Sequence, residues 1–588
     1  MKKKILMGAL LLLSASTLIA CSFGSSATSN NVASSASKAT SVSQEEVSIS
    51  SISVSKTGDT SNLNIETEDG TYTTSNSTLT ITSAGTYTLT GELNGMIYVD
   101  AGDEDEVEID LNNVNLVNAE NSPIFIANAG EVKIKALKGS TNTIEDQRSA
   151  KTSDDATQGE GAIYSTCDLK LIGSGTLNVI GSYNNGIHGN DDVTIKNQTL
   201  TVTAPHHAVK ANDSITIEEG GKFTFIGQGG DGLHTDSSDI SSSSNQRGNI
   251  VISGGDVTIY SATDGIDASY DAKLINGQDS DGNTTTPTLK IYTNQKWSSY
   301  DGSIFELAEE LSSTGTISYF GPSGDTRNGP GGNSQPGGQT SSSSNSSSVS
   351  AKGIKAANSI SIEAGEVYIA SYDDGLHANY GDTLENGSAG VGDITISGGS
   401  ITIEASDDGV HADRYLNLQG GYLYVSAYEG MEGNQILVSG GEAYIYGSDD
   451  GVNATSGSVT TKYEQTGGYL FTAVSPSGDN DGLDSNGSIY IKGGVCIAAG
   501  PASQNMAAID ADGSISVSGG TLMYFGGIGI NPSASSGITK SSKAGTYSSG
   551  TYNVTIGSTS IKTGALNYSY SGCVAYSSLG SISSVSKA

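Results

Sequence analysis

The sequence predicts an all-β fold, a right-handed parallel β-helix that carries an N-terminal β cap and a disordered insertion. A Gly-Gly turn followed by alternating residues recurs, as in Gly399-Ser-Ile-Thr-Ile-Glu. A second pattern, Asp-Gly-aliphatic-polar-small-Asn/Asp, lies between its copies with a period in the low twenties. Alternation bounded by Gly, Asn and Asp predicts strands and turns, and such a period is typical of a solenoid. The β-propeller alternative has a period of about 40–45 residues, which is too long.

The repeat also predicts which side chains face outward. Relative to the Gly of the second pattern, the aliphatic residue at +1 and the small residue at +3 point inward, and the residue at +2 points out. On the preceding strand, Val257 and Ile259 point inward. The predicted outward row is His188, Lys210, His234, Asp267, Lys355, His377, His411, Glu432, Asn453, Asp484 and Asp510.

The N-terminus has the pattern of an export signal. Three lysines precede a short apolar stretch, as in a secretory signal peptide. The following Leu18-Ile19-Ala20-Cys21 resembles the lipobox of bacterial lipoproteins, in which the cysteine carries the lipid. We therefore expect a lipoprotein signal peptide at 1–20, lipidation at Cys21, and an exported protein held in the cell membrane and facing the cell surface. An ordinary signal peptide with a chance cysteine is the alternative.

The rest of the chain divides by composition. A Ser-rich flexible tether is expected at 21–62. The predicted regions are the N-terminal cap and first coils at 63–275, an insertion with a low-complexity tract at 276–350, the remaining coils at 351–527, and a C-terminal cap at 528–588.

Composition limits the possible partners. Lys plus Arg is 28 and Asp plus Glu is 63, which gives a net charge of −35. Nucleic-acid binding requires a basic surface, so nucleic acid is not an expected partner, and we expect contact with the membrane only through the lipid. The four cysteines show no disulfide or zinc spacing, and Cys167 and Cys496 fit buried core positions.

Paired aspartates recur in the same turn of successive coils. Coils stack about 4.8 Å apart, so these carboxylates would form a column whose mutual repulsion a cation would relieve. Ca²⁺ prefers carboxylate and carbonyl oxygens, and calcium is the predicted cofactor. The alternative is that Asp-Asp-Gly is simply a favourable turn sequence. The predicted ligands are Asp373, Asp374, Asp407, Asp408, Asp449, Asp450, Asp479 and Asp481.

Histidines and tyrosines on the outer face are candidates for sugar contact. His377 and His411 are expected neighbours, but no Cys or third His joins them, so a polar surface row is favoured over a zinc site. Tyr368, Tyr444 and Tyr446 are predicted to point outward, where their rings could stack on the apolar faces of sugars. Ordinary β-propensity explains the tyrosines equally well.

From Leu63 to Gly527 the chain resembles a family of bacterial carbohydrate-binding β-helix proteins. The matching stretches are Gly85-Thr-Tyr-Thr-Leu-Thr-Gly-Glu-Leu, Ala162-Ile-Tyr-Ser, Gly173-Ser-Gly-Thr-Leu-Asn-Val-Ile-Gly, Tyr183-Asn-Asn-Gly-Ile-His and the Asp-Asp-Gly-aliphatic-His motifs. Members are often lipoproteins, described as binding cellulose and acidic plant polysaccharide, and the fold is similar to that of pectate lyases. The resemblance implies calcium binding and polysaccharide as the partner.

Three functions are left open, besides a two-carboxylate glycosidase that the plentiful Asp and Glu also permit. The first is a lipid-anchored cell-surface protein that holds cellulose or an acidic, pectic polymer along the β-helix, with calcium bridging the carboxylates of protein and polymer. The second is a calcium-dependent pectate lyase, which requires a base beside the metal; Lys210, Lys355 and Arg414 are the candidates, and their weak match favours binding. The third is a surface adhesin with a protein ligand.

Overall fold

The computed structural model describes residues 60–149, 158–294, 350–478, 480–503 and 506–588. The signal peptide, Cys21, Asp479 and nearly all of the tether and low-complexity tract lie outside these residues. The described part is all-β, with one 3-10 helix (Thr60–Asn62) and no α-helix. Forty-five of its strands belong to one mostly parallel sheet. Within the same ranges, no helix is long and apolar enough to cross a membrane.

The chain returns to the same ladder every third strand. Val209–Ala211, for example, pairs in parallel with Asn185–Gly189 on one side and with Leu233–Thr235 on the other. We call one set of three strands a rung and the three resulting ladders A, B and C. The recurring Gly-Gly turns precede the strands of ladder C, and the Asp-Gly turns precede those of ladder A.

The strands of each ladder follow in chain order. Ladder A contains Thr78–Ile81, Met96–Asp100, Ile124–Asn128, Gly161–Ser165, Asn185–Gly189, Val209–Ala211, Leu233–Thr235, Ile266–Ala268, Ile354–Ala356, Leu376–Ala378, Val452–Ala454, Leu483–Ser485 and the first halves of Val410–Leu418 and Met431–Val438. Ladder B contains the second halves of those two strands, the first halves of Gly85–Asn94 and Glu106–Asn118, and Glu131–Ala136, Asp168–Gly173, Val193–Lys196, Ser214–Glu218, Asn249–Ile252, Asp271–Leu274, Ser359–Ile362, Asp393–Ile396, Lys462–Gln465, Ser488–Ile491 and Ile515–Val517. Ladder C contains the second halves of Gly85–Asn94 and Glu106–Asn118, and Thr141–Asp146, Thr176–Ile180, Thr199–Ala204, Lys222–Gly227, Asp256–Ser261, Thr288–Thr293, Glu366–Ser371, Ser400–Ala405, Tyr422–Ala427, Glu442–Gly447, Tyr469–Ala473, Val495–Ala499 and Thr521–Phe525.

The core lies between the three ladders. Val257 and Ile259 are fully buried, as the alternation predicts, and Cys167, Cys496 and Cys573 are buried and unpaired with one another. Burial of such a continuous apolar row is the main stabilising contribution in a stack of this kind. The strand Thr288–Thr293, which falls in the predicted insertion, takes a regular place in ladder C.

Antiparallel strands cover both ends of the sheet. Leu63–Thr67 pairs with Gly85–Asn94, and Tyr72–Ser75 pairs with Thr78–Ile81. At the other end Tyr570–Ser577 pairs with Thr521–Phe525 and with Thr539–Tyr547. The remaining strands are Ser533–Ala534, the three-stranded sheet of Tyr552–Ile556, Thr559–Lys562 and Ile582–Lys587, and the hairpins Gly277–Gln278/Thr284–Thr285 and Tyr380–Thr383/Ala389–Val391. These end strands protect sheet edges that would otherwise pair with other chains.

Candidate functional site

The polar row predicted on ladder A is present in the predicted order. His188 pairs with Lys210, and the register continues without a slip through His377 and His411 to Asp484. On the N-terminal side the same row becomes aromatic, with Tyr164 directly before His188. A strand period of 2 and an unbroken pairing register therefore place one polar side chain above another along the ladder.

The paired aspartates line the turn before ladder A, as predicted, and their first contacts are with the main chain. Asp374 Oδ1 accepts a hydrogen bond from the Asp408 N–H at 3.1 Å, one rung further on. Asp450 Oδ1 accepts one from the Asp481 N–H at 2.6 Å, and Asp231 repeats the contact with Asp264 at 2.9 Å. Each carboxylate thus ties its own turn to the equivalent turn of the next rung.

Side-chain cations neutralise one part of this column. Lys352 Nζ lies 2.7 Å from carboxylate oxygens of both Asp373 and Asp374. Burial alone would raise the Asp374 pKa, but the hydrogen bond from His377 and the charge of Lys352 hold it well below its usual value. Oxygens of Asp373, Asp374 and Asp407 converge within 4.8 Å of one another. The repulsion from which the sequence predicts calcium is therefore partly relieved here by Lys352.

The column continues toward the C-terminus through Glu429 and Asp450. Neither makes an ion pair with Lys, Arg or His in the part of the chain that the structure describes. Burial, together with the charges of Glu429 and Asp481, raises the pKa of Asp450 to about 8. Burial and the neighbouring Glu432 raise the pKa of Glu429 to about 7. The carboxyl groups at this end of the column therefore have less compensation for negative charge when they ionise.

The ring nitrogens of His377 and His411 all face carboxylates. His377 Nδ1 is 2.6 Å from Asp374 Oδ2, and His411 Nδ1 is 2.8 Å from Asp408 Oδ2. Although burial opposes its charge, hydrogen bonds with Asp408 and Asp413 raise the pKa of His411 to about 11. The two rings stack with centroids 4.4 Å apart. These contacts compete with any direct hydrogen bond to a sugar.

The tyrosines proposed with those histidines lie on a different ladder. Tyr368, Tyr444 and Tyr446 belong to strands of ladder C, so the structure does not bring them together with His377 and His411. Tyr368 donates to Glu404 Oε2 at 3.2 Å. The predicted set of sugar-contacting residues therefore divides into two groups.

Tyr444 and Tyr446 are parts of two aromatic columns. Tyr444 stands 5.8 Å from Tyr422 and 5.5 Å from Tyr469 on the neighbouring rungs, measured between ring centroids. Tyr446 stands 5.5 Å from Tyr424. We call these five rings the tyrosine columns. Tyr422 is 37% exposed and the other rings are half-buried.

The C-terminal region covers the far end of the tyrosine columns. Tyr469 Oη donates to the Lys562 carbonyl at 2.8 Å. Phe471 on the same strand and Ile497 on the next rung are fully buried in a second apolar cluster that includes Val554 and Leu566. This contact was not predicted from the sequence. The available signal was the change of the outward positions from polar residues to Phe471, Ile497 and Met523.

The three candidate bases are all held in ion pairs. Lys210 Nζ is 2.7 Å from Asp236, and Lys355 Nζ is 3.3 Å from Asp267. Arg414 makes two contacts with Asp393 at 2.7–2.8 Å. Although burial opposes its charge, the carboxylates of Asp267 and Asp264 raise the pKa of Lys355. An ammonium held in this way is a poor proton acceptor.

Two polar insertions between strands of the repeat, Ser237–Gly248 and Tyr380–Gly392, meet on one side of the sheet. Glu385 accepts hydrogen bonds from Ser237 Oγ at 2.8 Å and from the Ser238 N–H at 3.1 Å. Between them is an open, wholly polar depression of about 320 Å³. Its lining residues are Asn190, Asp191, Asn212, Asp213, Asp236, Ser237, Arg247 and Glu385. Nothing in the repeat pattern predicts this contact, because insertions lie outside the repeat.

These observations define a class of protein that is mostly parallel and all-β, with stacked carboxylates and outward tyrosine columns. Residues 75–392 and 381–524 match the family described as carbohydrate-binding domain-containing protein, and the chain belongs to that family. A protein of Acetivibrio thermocellus with the same description is 35% identical over 148 residues, which are 25% of this chain and 51% of that relative. The chain thus spans about half the length of the curated relative it matches. A solved structure, the polysaccharide lyase-like protein from C. thermocellum as a gadolinium derivative, is 29% identical, with 39% of this chain and 87% of that one covered at a TM-score of 0.35.

Proposed function

We propose that this protein binds polysaccharide at the cell surface, held in the membrane by a lipid on Cys21. Its rungs would wind as a right-handed parallel β-helix, and a cellulose or acidic, pectic polymer would lie along the stack. Membership of a carbohydrate-binding family supports polysaccharide as the ligand, and the pairing of each strand with the third one beyond it supports the winding.

The tyrosine columns are the observation that carries this proposal. Tyr422, Tyr444 and Tyr469 stand on three successive rungs, and the ring centroid of Tyr444 is 5.8 Å from that of Tyr422 and 5.5 Å from that of Tyr469. Sugars present apolar C–H faces, and a tyrosine ring offers a large contact area at low entropic cost together with a hydroxyl group. A linear polymer running along the stack would meet the Tyr422 and Tyr444 rings on successive rungs before it reaches Tyr469, where the C-terminal region covers the columns.

Calcium is the proposed cofactor, held by the aspartate column. The column supplies the oxygen ligands that Ca²⁺ prefers, and a bound cation would let this acidic protein accept uronate carboxylates. The ligands would come from Asp373, Asp374, Asp407, Asp408, Asp449, Asp450, Asp479 and Asp481. The ion pairs of Lys210, Lys355 and Arg414 favour binding over lyase chemistry.

A retention assay tests the proposal. The mature protein is mixed with insoluble cellulose, or with polygalacturonate in affinity electrophoresis, each with calcium and with chelator. We expect retention, and we expect Tyr444→Ala to weaken it by about 3- to 10-fold, since an aromatic stacking contact contributes about 0.5–1.5 kcal/mol. Tyr568→Ala, at an exposed tyrosine outside the columns, is the matched control and should have no effect.

Three results would contradict the proposal. Retention of neither polymer would refute polysaccharide binding, and equal loss in the two variants would refute the tyrosine columns as its location. A steady rise in ultraviolet absorbance from unsaturated uronate ends, abolished by chelator, would identify a lyase instead.

A further inference from the structure

The histidines of ladder A form a second kind of site, separate from the tyrosine columns. His377 and His411 pair on successive rungs, and their Nε2 atoms face the same oxygen, Asp413 Oδ1. The distances are 3.5 Å from His377 and 3.2 Å from His411. The side chains are 16%, 24% and 32% exposed, so the point between them is accessible from solvent.

These distances match the edges of a metal coordination tetrahedron. Zinc binds histidine nitrogen at about 2.0–2.1 Å and carboxylate oxygen at about 2.0–2.2 Å, so tetrahedral ligand atoms lie about 3.3 Å apart. The two Nε2–Oδ1 separations bracket this value. The rings are stacked 9° from parallel, and they must tilt toward each other to aim both lone pairs at one ion.

The three ligands make hydrogen bonds of the kind that orient metal ligands in proteins. Metal-bound histidines usually donate their other N–H to a carboxylate, which fixes the ring and raises its basicity. Asp374 and Asp408 hold Nδ1 of the two rings at 2.6 and 2.8 Å. The other oxygen of Asp413 accepts the Tyr380 N–H at 2.8 Å. All three ligands are thus oriented by groups that would stay in place when an ion binds.

The chain contains an internal comparison. His234 repeats the arrangement, with Nδ1 2.9 Å from Asp231 and Nε2 2.9 Å from Asp236. The neighbouring rung, however, carries Lys210, whose Nζ is 2.7 Å from Asp236. An ammonium cannot ligate a metal and repels one. His207 also approaches Asp231, but its Nδ1 already accepts the Asp231 N–H at 3.0 Å.

We propose that His377, His411 and Asp413 bind one divalent late transition-metal ion, such as Zn²⁺, with a fourth position open to solvent. Two imidazole ligands select such ions over Ca²⁺, which takes oxygen ligands. A nitrogen that ligates a metal must carry no proton, so the ion displaces any proton that the two Nε2 atoms hold and this proton passes to the solvent. The site does not depend on polysaccharide binding.

Calorimetric titration of the untagged, chelator-stripped mature protein tests the site. With Zn²⁺ we expect one ion per chain, release of protons to the buffer, and no competition from a 100-fold excess of Ca²⁺. Visible absorbance on addition of Co²⁺ would report nitrogen ligation. Loss of an outer-shell partner typically lowers metal affinity roughly 10- to 100-fold. His411→Gln and Asp413→Asn each remove a direct ligand, so each should lower the affinity by more than that. Asp413→Asn keeps an oxygen to accept the Tyr380 N–H and so preserves the turn.

His234→Gln is the matched control, and it should leave the affinity and the stoichiometry unchanged. Absence of Zn²⁺ binding by the folded parent protein would overturn the proposal. So would an affinity that survives in a folded Asp413→Asn variant, or one that His234→Gln abolishes.

Discussion

The glycine that precedes most of the ladder A strands gives the sharpest test of the stacking. A Cβ added at Gly430 would lie 2.1 Å from Ile445 Cγ2 and 2.3 Å from the Gly451 carbonyl oxygen on the next rung. Three residues on, a Cβ at Gly433 would meet nothing closer than 3.3 Å. The rungs on either side already carry alanine in that slot, at 412 and 454. We therefore predict opposite results for Gly430→Ala and Gly433→Ala.

The expected magnitude follows from these contacts. Overpacking of a tight interior costs about 1–3 kcal/mol. The Gly451 carbonyl that the new methyl group would displace also accepts the Met431 N–H at 3.1 Å, and loss of such a bond costs about 0.5–1.5 kcal/mol. Gly430→Ala should therefore destabilise these rungs by about 2–4 kcal/mol. Gly433→Ala should stabilise by about 0.4–1 kcal/mol, because alanine lowers the entropy of the unfolded chain.

Amide hydrogen exchange is the appropriate assay, since stacked repeats open locally as well as globally. Peptides covering residues 409–455 should exchange about 30-fold faster or more in Gly430→Ala, given a tenfold change for each 1.4 kcal/mol. In Gly433→Ala they should exchange at the parent rate or more slowly. Equal exchange in the two variants would show that contact with the next rung is not what excludes a side chain at residue 430.

Three further predictions concern charge and end contacts. In chelator, Asp450→Asn should raise the melting temperature at pH 8 but not at pH 4. The pKa of Asp450 is raised to about 8 in the folded state, so this carboxyl group destabilises the fold at pH values above its unfolded pKa. Calcium should reverse the effect, and a difference that does not depend on pH would contradict the prediction. Asp146→Asn should destabilise the fold by about 3–5 kcal/mol, because it leaves the fully buried Arg148 guanidinium without its counter-ion. In a denaturant titration, Asp146→Leu combined with Arg148→Met should recover most of the loss. Tyr469→Phe, which removes the hydrogen bond to the Lys562 carbonyl, should speed proteolytic release of the region after residue 528, whereas Tyr568→Phe should not.

The periodic parts of this protein could be predicted from its sequence. The outward row from His188 to Asp484 follows from one glycine slot and a strand period of 2, since each rung repeats the same geometry. The burial of Val257 and Ile259 follows in the same way. The positions of the paired aspartates follow as well, because a turn of fixed length returns to the same place.

The partners of these residues could not be predicted. Lys352, which neutralises Asp373 and Asp374, stands in a slot where other rungs carry an acid. Asp413 shares its oxygen between two histidines because their imidazoles stack nearly parallel on successive rungs. The spacing of the repeat predicts which residues are neighbours on successive rungs. Side-chain conformation and ion pairing depend on packing and burial, which the repeat pattern does not specify.

The parts of the molecule outside the regular repeats, namely the insertions and the C-terminal end, were predicted least well for the same reason. The contact between Glu385 and Ser237 joins two insertions 148 residues apart, and neither insertion has a periodic pattern that would specify a partner. Tyr444 and Tyr446 were predicted to face outward, which is correct for their strand. The C-terminal strands that approach Tyr469 come from a Ser-, Gly- and Tyr-rich region with little alternation.

The uneven charge of the aspartate column decides where a calcium ion would be held most strongly. A cation gains most where carboxylates are buried and lack a counter-ion. Asp373 and Asp374 already share the Lys352 ammonium, so an ion there must displace it. Glu429 and Asp450, further along the column, make no such pair in the described chain. Calcium should therefore bind first at the C-terminal end of the column, on the same rungs that carry the tyrosine columns, and Asp450→Asn should weaken its binding more than Asp374→Asn.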